Sequence, residues 1–301
     1  MPEDNPLLRI ACHRTLNILD KGEGVRGAVF NKVITLLSKR LLDAKFDIDL
    51  PHCWYLYGDE VVPRELPPQV HFNPSNEQVH RTIVTWEGNP PDEASIPEWK
   101  SKKIGDGLAL IITEFGDPIS LPDIIDEVYE GAPFDFQKDF LSWRRRLDDL
   151  KSVMRFPKPV ENILTPTFET AVSRFPKNDF SQIGNLERRY IRLIRFALDN
   201  QGVQYLRPFS NEFWQAFCYF LRIHPSGFRK VSQTRLNHWT RIANDHLVSV
   251  GPRITSMAEE MVEDLTAGRM IDPLEHASIV GSHWGKDTAR ASIEVDAFAY
   301  R

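Results

Sequence analysis

The stretch Arg26–Leu66 constrains the fold more than any other part of the chain, because an amphipathic helix in it is followed by a dense aromatic segment. Apolar residues recur there at three- and four-residue steps, the spacing of one helical face: Phe30, Val33, Ile34, Leu37, Leu41 and Ala44. Four polar residues fall on the other side: Asn31, Lys32, Thr35 and Lys39. The pattern therefore predicts a helix over Arg26–Lys45 with one apolar face directed at a core.

An aromatic segment follows the predicted helix. Trp54, Tyr55 and Tyr57 lie within four consecutive positions, and Gly58 ends the run. Three large aromatic side chains bring too much apolar area to remain in water, so part of this segment belongs to a core or to an interface. Pro63 then prevents one long regular element from continuing.

The first 90 residues have the outline of a winged-helix-like α+β module. Leu7–Asp20 has a helical pattern that ends at glycines, and the helix Arg26–Lys45 follows it. Val70–Phe72 and Thr82–Trp86 have the β-branched and aromatic content of short strands. Helices followed by a two-stranded ribbon match the order of elements in a winged helix, so we assign residues 1–90 to such a module.

The rest of the chain predicts helices, and the fold class is mainly α. Residues 91–157 are interpreted as a linker and connecting helices, because a proline-rich stretch opens this region. Residues 158–301 are predicted to form a helical domain. Its last predicted helices are punctuated by proline or glycine and lie at 230–249, 251–267 and 273–283.

Composition and segment lengths disfavour membrane proteins and disulfide scaffolds. No apolar run approaches the roughly 18 residues that cross a bilayer. The polar, acidic start Met1–Asn5 lacks the features of a signal peptide, so we expect a cytoplasmic protein without a membrane partner. Cys12, Cys53 and Cys218 are odd in number and widely spaced, which predicts buried, reduced thiols.

The net charge of −5 conceals an asymmetry along the chain. Residues 1–150 hold 17 Lys/Arg and 26 Asp/Glu, whereas residues 151–301 hold 20 and 16. The segment Arg188–Arg253 has 11 basic residues, ten of them arginine, against three acidic ones. An acidic front half and a basic middle favour a two-part organisation.

The basic middle supplies most of the predicted partner-binding residues. Arg188, Arg192 and Arg195 share one helical face. Such residues could bind an acidic protein or the phosphates of a nucleic-acid backbone. They could also pair with the acidic first half of the chain, or form the solvated face of an ordinary helical bundle. The predicted partner-binding set is Arg188, Arg192, Arg195, Arg207, Arg229, Lys230, Arg235 and Arg241, with the aromatics Trp54, Tyr55 and Tyr57.

Two groups of residues have the chemistry of a metal site. Cys12–His13 and His52–Cys53 carry zinc-ligand side chains, but both pairs lack the usual two-residue spacer, which favours buried cysteines and hydrogen-bonded histidines. Asp92, Glu98 and Lys100 are the residue types of a metal-dependent nuclease. They lie in and just after a proline-rich linker, whereas that chemistry needs rigid neighbouring strands.

No phosphate-binding loop, dinucleotide fingerprint or serine elbow occurs in the sequence. We therefore predict no catalytic residues, no metal and no cofactor. The metal-dependent nuclease remains the third-ranked alternative.

The Arg26–Leu66 stretch resembles the SocA-like antitoxin domain, also called Panacea. The resemblance rests on an amphipathic helix, a short polar break and an aromatic segment ending in Tyr57, Gly58, Val61, Val62, Pro63 and Leu66. The family usually has Tyr-Gly-Pro, and Asp59 stands at the proline position here. The resemblance covers about 40 residues. It implies a small non-catalytic helical domain that neutralises a partner or acts as an adaptor in prokaryotic conflict modules.

These observations together predict a regulatory or adaptor subunit that acts by binding another macromolecule. The expected partner is a protein, either a toxin or a subunit of a larger complex, within a toxin–antitoxin or phage-defence assembly. A regulator that binds nucleic acid through the arginine-rich half is the alternative.

Overall fold

A computed structural model describes residues 5–74, 82–153 and 160–267. The fold is mainly α, as predicted, with nine α-helices and two small antiparallel sheets among the described residues. None of the helices in these ranges combines the length and the apolar character that crossing a membrane requires.

The chain forms two compact units. Unit 1 comprises Met1–Ala132 and Arg222–Leu236, and unit 2 comprises Pro133–Leu221 and Asn237–Arg301. These boundaries differ from the predicted ones at 90/91 and 157/158. The helices predicted to connect two domains instead include two that pack on the Arg26–Lys45 helix inside unit 1. The second segment of unit 1, Arg222–Leu236, is separated in sequence from the first by Pro133–Leu221. Local sequence patterns cannot reveal that two such distant segments belong to one unit.

Unit 1 is built around its second helix. Its elements are α1 (Pro6–Leu19), β1 (Val25–Arg26), α2 (Gly27–Asp43), β2 (His52–Tyr55), β3 (Gly58–Val61), β4 (Val70–Pro74), β5 (Thr82–Trp86), α3 (Glu98–Phe115), α4 (Leu121–Glu130) and β6 (Phe228–Arg229). One sheet has the order β1-β5-β4, and the other has the order β3-β2-β6. The predicted apolar face of α2 is buried from Phe30 to Leu41, whereas Ala44 is exposed just after the helix ends. The helix contacts α1, α3, α4 and β3.

After α2 the structure differs from the predicted winged-helix-like module. The predicted ribbon exists as the hairpin β4–β5, and β1 pairs with β5 beside it. In helix-turn-helix modules a second, recognition helix enters the DNA groove. Here residues 44–69, all described, contain the hairpin β2–β3 and a short 3₁₀ turn at Pro63–Glu65 instead. The part of the chain between α2 and β4 therefore offers no recognition helix.

Unit 2 is a helical bundle with an aromatic core. Its helices are α5 (Asp135–Val153), α6 (Val160–Ser173), α7 (Gly184–Asp199), α8 (Val203–Leu221) and most of α9 (Gln233–Leu265). The sequence predicts two helices where α9 runs through Pro252. Buried Val250 and Ile254 flank this proline, so packing outweighs the lost backbone hydrogen bond. The predicted helix 273–283 lies outside the described residues.

A buried polar triad sits inside the aromatic core of unit 2. The Trp143 indole donates to the Tyr190 hydroxyl at 3.0 Å and to the Ser210 hydroxyl at 2.9 Å. Tyr190 and Ser210 are themselves hydrogen-bonded at 2.9 Å, and Ser210 donates to the Leu206 carbonyl at 2.7 Å. Burial is the main cause that raises the pKa of Tyr190, so its hydroxyl keeps its proton. The triad satisfies three polar groups that would otherwise be costly to bury.

The triad generates a stability prediction. Tyr190→Phe removes one shared hydroxyl while Trp143 and Ser210 keep their own bond, so we expect a loss of about 1 kcal/mol in the free energy of unfolding. Urea denaturation followed by tryptophan fluorescence measures it. Tyr57→Phe is the control because its ring is exposed, and it should change stability by less than about 0.5 kcal/mol. Equal effects of the two substitutions would contradict this account of the triad.

Candidate functional site

The three aromatics of the predicted partner-binding set have different positions on the hairpin β2–β3. Trp54 is only 6% exposed and packs edge-to-face on Tyr129, with ring centroids 5.4 Å apart. Tyr55 is half-buried, and the guanidinium of Arg222 lies 4.7 Å from its ring centroid. Tyr57 is 68% exposed at the turn. Trp54 therefore stabilises the module, and Tyr57 is the aromatic that a partner can reach.

The turn of this hairpin requires glycine. Gly58 has a φ of +96°, a conformation that other residues rarely adopt. A Cβ atom there would lie 2.9 Å from the Tyr129 ring and 3.3 Å from the Lys32 ammonium. The Tyr-Gly pair noted in the sequence is thus the point where the hairpin closes over α2 and α4.

Lys32 lies beneath this turn and is almost fully buried, with 2% of its surface exposed. Its ammonium donates to the Asp59 carbonyl at 2.7 Å. Burial lowers the pKa of Lys32, and the nearby carboxylates of Glu60 and Asp59 partly oppose that shift. The expectation that Lys32 and Thr35 lie away from the core is wrong, because the hairpin covers that side of α2 as well.

Glu60 is the acidic neighbour of Lys32 on β3. Burial is the largest influence on this carboxyl and raises its pKa, while Lys32 and the Tyr57 backbone N–H lower it. Both residues line a cleft of about 420 Å³ bounded by the start of α2, by β3 and by β4. Asn31 also lines it, and its side-chain oxygen is buried without a hydrogen-bond partner among the described residues. Sequence reasoning missed this cleft, and the Tyr-Gly turn was the available signal.

His52 and Asp59 form a second polar pair on the same hairpin. The His52 Nδ1 and an Asp59 carboxylate oxygen are 2.6 Å apart across the strand pair. Both border a small cavity of about 160 Å³ that Ser38 and Lys39 also line. The contact fixes the orientation of the imidazole ring.

The residues considered for zinc do not converge. Cys12 and Cys53 are buried and free, as predicted, and burial raises the pKa of the Cys12 thiol to about 12. His52 and Cys53 are adjacent on a strand and so point to opposite faces. His13 packs against the Trp86 ring. Within the described ranges, no group of three or more His, Cys, Asp or Glu side chains could hold a metal ion.

The nuclease candidates have local structural roles. Asp92 accepts a hydrogen bond from the Ala94 backbone N–H at 3.0 Å and so caps a short 3₁₀ turn. Glu98 is in the first turn of α3, where an acidic side chain is favourable. Lys100 lies over the Trp99 ring.

Three of the predicted partner-binding cations belong to unit 1 and pair within it. Arg229 contacts Asp47 at 2.7 Å, Lys230 contacts Asp49 at 2.6 Å, and the Arg235 Nε lies 3.8 Å from a Glu65 carboxylate oxygen. The hydrogen bond to the Asp49 carboxylate is the main cause that raises the pKa of Lys230. These contacts match the interpretation in which the basic segment pairs with the acidic front half.

The other predicted cations belong to unit 2. Arg188, Arg192 and Arg195 are exposed on α7, opposite its buried face. Arg195 makes a two-pronged contact with Glu169 at 2.9 and 2.8 Å, and Arg207 contacts Asp148 at 2.5 Å. For Arg192 the described part of the chain provides no ion pair. Arg241 is exposed on α9. The predicted basic set is thus divided between the two units.

The buried lysine generates a prediction about pH. Its lowered pKa means that the unfolded chain binds more protons than the folded protein between the folded value and the ordinary 10.5. Stability from this group therefore increases with pH in that window. We expect the free energy of unfolding of the wild type, relative to Lys32→Met, to rise as the pH increases toward the ordinary lysine pKa of 10.5.

Urea denaturation at several pH values measures this difference. Lys102→Met replaces an exposed lysine of α3 and is the control, for which the difference should stay flat. A flat profile for Lys32→Met would show that Lys32 is not desolvated in the folded protein.

Comparison of the chain with protein-family models, with curated proteins and with solved structures finds no match.

Proposed function

We propose that this protein is a non-catalytic regulatory or adaptor subunit whose unit 2 binds an acidic protein through the exposed side of α7. The observation that carries the proposal is the stripe of exposed arginines on this helix, Arg188, Arg192 and Arg195. The helix is anchored by its other side, where Leu186, Tyr190 and Leu193 are buried.

The number of arginines in this stripe that lack a partner within the described residues favours a protein as the binding partner. Arg195 is already held by Glu169, and Arg188 by the Asn185 side chain, while Arg192 has no ion pair within the described residues. Arginine forms two-pronged hydrogen bonds with carboxylates and is enriched at protein interfaces. One or two available guanidiniums suffice for an acidic patch, whereas nucleic-acid binders neutralise several phosphates.

The resemblance of residues 26–66 to the SocA-like antitoxin domain supports the same class of function. It implies that the partner is a toxin or a subunit of a larger complex in a toxin–antitoxin or phage-defence assembly. In this proposal unit 1 is the antitoxin-like module, and α7 of unit 2 adds the charged contact.

Nucleic acid is the second candidate, because the same arginine stripe could contact phosphates. Its distinguishing property is salt dependence. The logarithm of the association constant falls with the logarithm of salt concentration by about 0.7 to 0.9 per phosphate neutralised. A protein interface of mixed polarity has a weaker dependence.

The decisive experiment is purification of the tagged chain together with the products of its native operon. We expect a stable stoichiometric protein partner that is lost in the double variant Arg188→Glu and Arg192→Glu. Reversing two central interface charges should weaken binding by about 100-fold or more.

A matched control reverses the same amount of charge elsewhere in unit 2. Arg145→Glu and Arg146→Glu, on the exposed side of α5, should leave the partner bound. Nuclease-sensitive nucleic acid in place of a protein would favour the second candidate. Equal partner retention by both double variants would contradict a role for α7, and divalent-dependent cleavage of DNA or RNA would contradict the non-catalytic proposal.

A further inference from the structure

The cleft of about 420 Å³ in unit 1 has the size of a small-molecule site. Its walls come from three separate parts of the chain: the start of α2, the hairpin β2–β3 with the residues after it, and the ribbon β4–β5. The residues that determine its chemistry are Arg26, Asn31, Lys32, Tyr57, Glu60 and Phe72.

Two aromatic rings form the apolar part of the cleft. Phe72 on β4 is half-buried and is held by an edge-to-face contact with Phe30, with centroids 5.9 Å apart. Tyr57 also lines the cleft, at the hairpin turn, where its ring is 68% exposed. An aromatic ring that packing holds in place, as Phe30 holds Phe72, binds flat apolar groups well, because little conformational entropy is lost. The cleft therefore accepts a planar body.

The polar part of the cleft has an excess of positive charge. Lys32 and Glu60 lie close enough to shift each other's pKa, so their charges offset one another. Arg26 remains, exposed at the mouth, and the described residues supply it with no ion pair. Its guanidinium is thus available for an acidic group of a ligand.

One buried acceptor lacks a donor. Asn31 lines the cleft, and its side-chain oxygen is buried with no hydrogen-bond partner among the described residues. A buried carbonyl oxygen without a donor costs roughly 1–3 kcal/mol. Rotation of the Asn31 amide toward the cleft lets a ligand that donates a hydrogen bond recover that loss. A ligand of this cleft is therefore expected to carry a hydrogen-bond donor in addition to an acidic group.

We propose that this cleft binds a small ligand with a planar apolar body, one acidic group and a hydrogen-bond donor. The acid contacts Arg26, the planar body lies between Tyr57 and Phe72, and the donor reaches Asn31. A nucleoside monophosphate and an aromatic residue at the carboxyl terminus of a peptide share this chemistry. The site lies within unit 1 and does not depend on the proposed role of α7.

The experiment titrates the purified full chain with adenosine monophosphate and with N-acetylphenylalanine, followed by calorimetry and by amide chemical shifts. Each acid is compared with its uncharged analogue, adenosine or N-acetylphenylalaninamide. We expect at least one acid to bind about tenfold more tightly than its analogue, the ratio that one charge-assisted hydrogen bond provides. The shifted amides should cluster at the start of α2 and at the hairpin turn.

Two variants test the named contacts. Arg26→Gln should weaken binding of the acid about tenfold and remove the preference over the uncharged analogue. Tyr57→Ala should weaken both the acid and its analogue, because it removes part of the planar contact. Both side chains are exposed, so the fold is retained.

Matched controls are Lys102→Gln and Trp99→Ala, which change an exposed cation and an exposed aromatic of α3 in the same unit. Both should bind as the wild type does. Binding of the nucleotide alone identifies a nucleotide site, and binding of the amino acid alone identifies a site for a peptide terminus. Absence of binding by both acids at about 10 mM, or equal binding by Arg26→Gln and the wild type, overturns the proposal.

Discussion

The hydrogen bond from the buried Lys32 ammonium to the Asp59 carbonyl is the contact on which the arrangement of unit 1 depends. Taking an ammonium out of water is costly, and the lowered pKa of Lys32 reflects that cost. The cost is tolerated because the bond holds the hairpin β2–β3 over α2 and satisfies a backbone carbonyl of β3. This strand is an edge of its sheet, so the lysine also occupies a carbonyl that another chain could otherwise pair with. Both the cleft and the exposed Tyr57 follow from the hairpin position that this lysine fixes.

The sequence predicted the elements that have a strong local pattern. The apolar face of α2 was visible in the spacing of apolar residues, and the strands near 70 and 82 were visible in the β-branched and aromatic content. The environment of Lys32 was not visible, because a lysine on the far side of an amphipathic helix normally faces water. Only the arrival of the hairpin over that face changes its environment. A local sequence pattern predicts which face of a helix is apolar, but it does not predict which other element packs against the polar face.

The candidate site was predictable to a smaller extent. Gly58 and the aromatic run marked the hairpin turn, since a glycine there is required by a positive φ and by the Tyr129 ring. The cleft also needs Phe72 and Arg26, and these residues come together only through the pairing of β1, β5 and β4. Strand pairing between distant segments is a tertiary property. The discontinuous unit 1 has the same origin, because β6 joins β2 from about 175 residues further along.

This discontinuity accounts for part of the charge asymmetry along the chain. The segment Arg222–Leu236 carries basic residues from the basic middle into unit 1, where Arg229, Lys230 and Arg235 contact acidic side chains of residues 47–65. Part of the basic excess is therefore an internal complement to the acidic front half and needs no external partner. Exposed ion pairs of this kind stabilise a fold only modestly, but they disfavour wrong docking of the returning segment. The three exposed arginines of α7 differ in this respect, since within the described residues of unit 2 Arg195 has a carboxylate partner, whereas Arg188 is bonded to the Asn185 amide and Arg192 has no ion pair. Charge that the fold leaves uncompensated is the better guide to a binding surface than charge counted along the sequence.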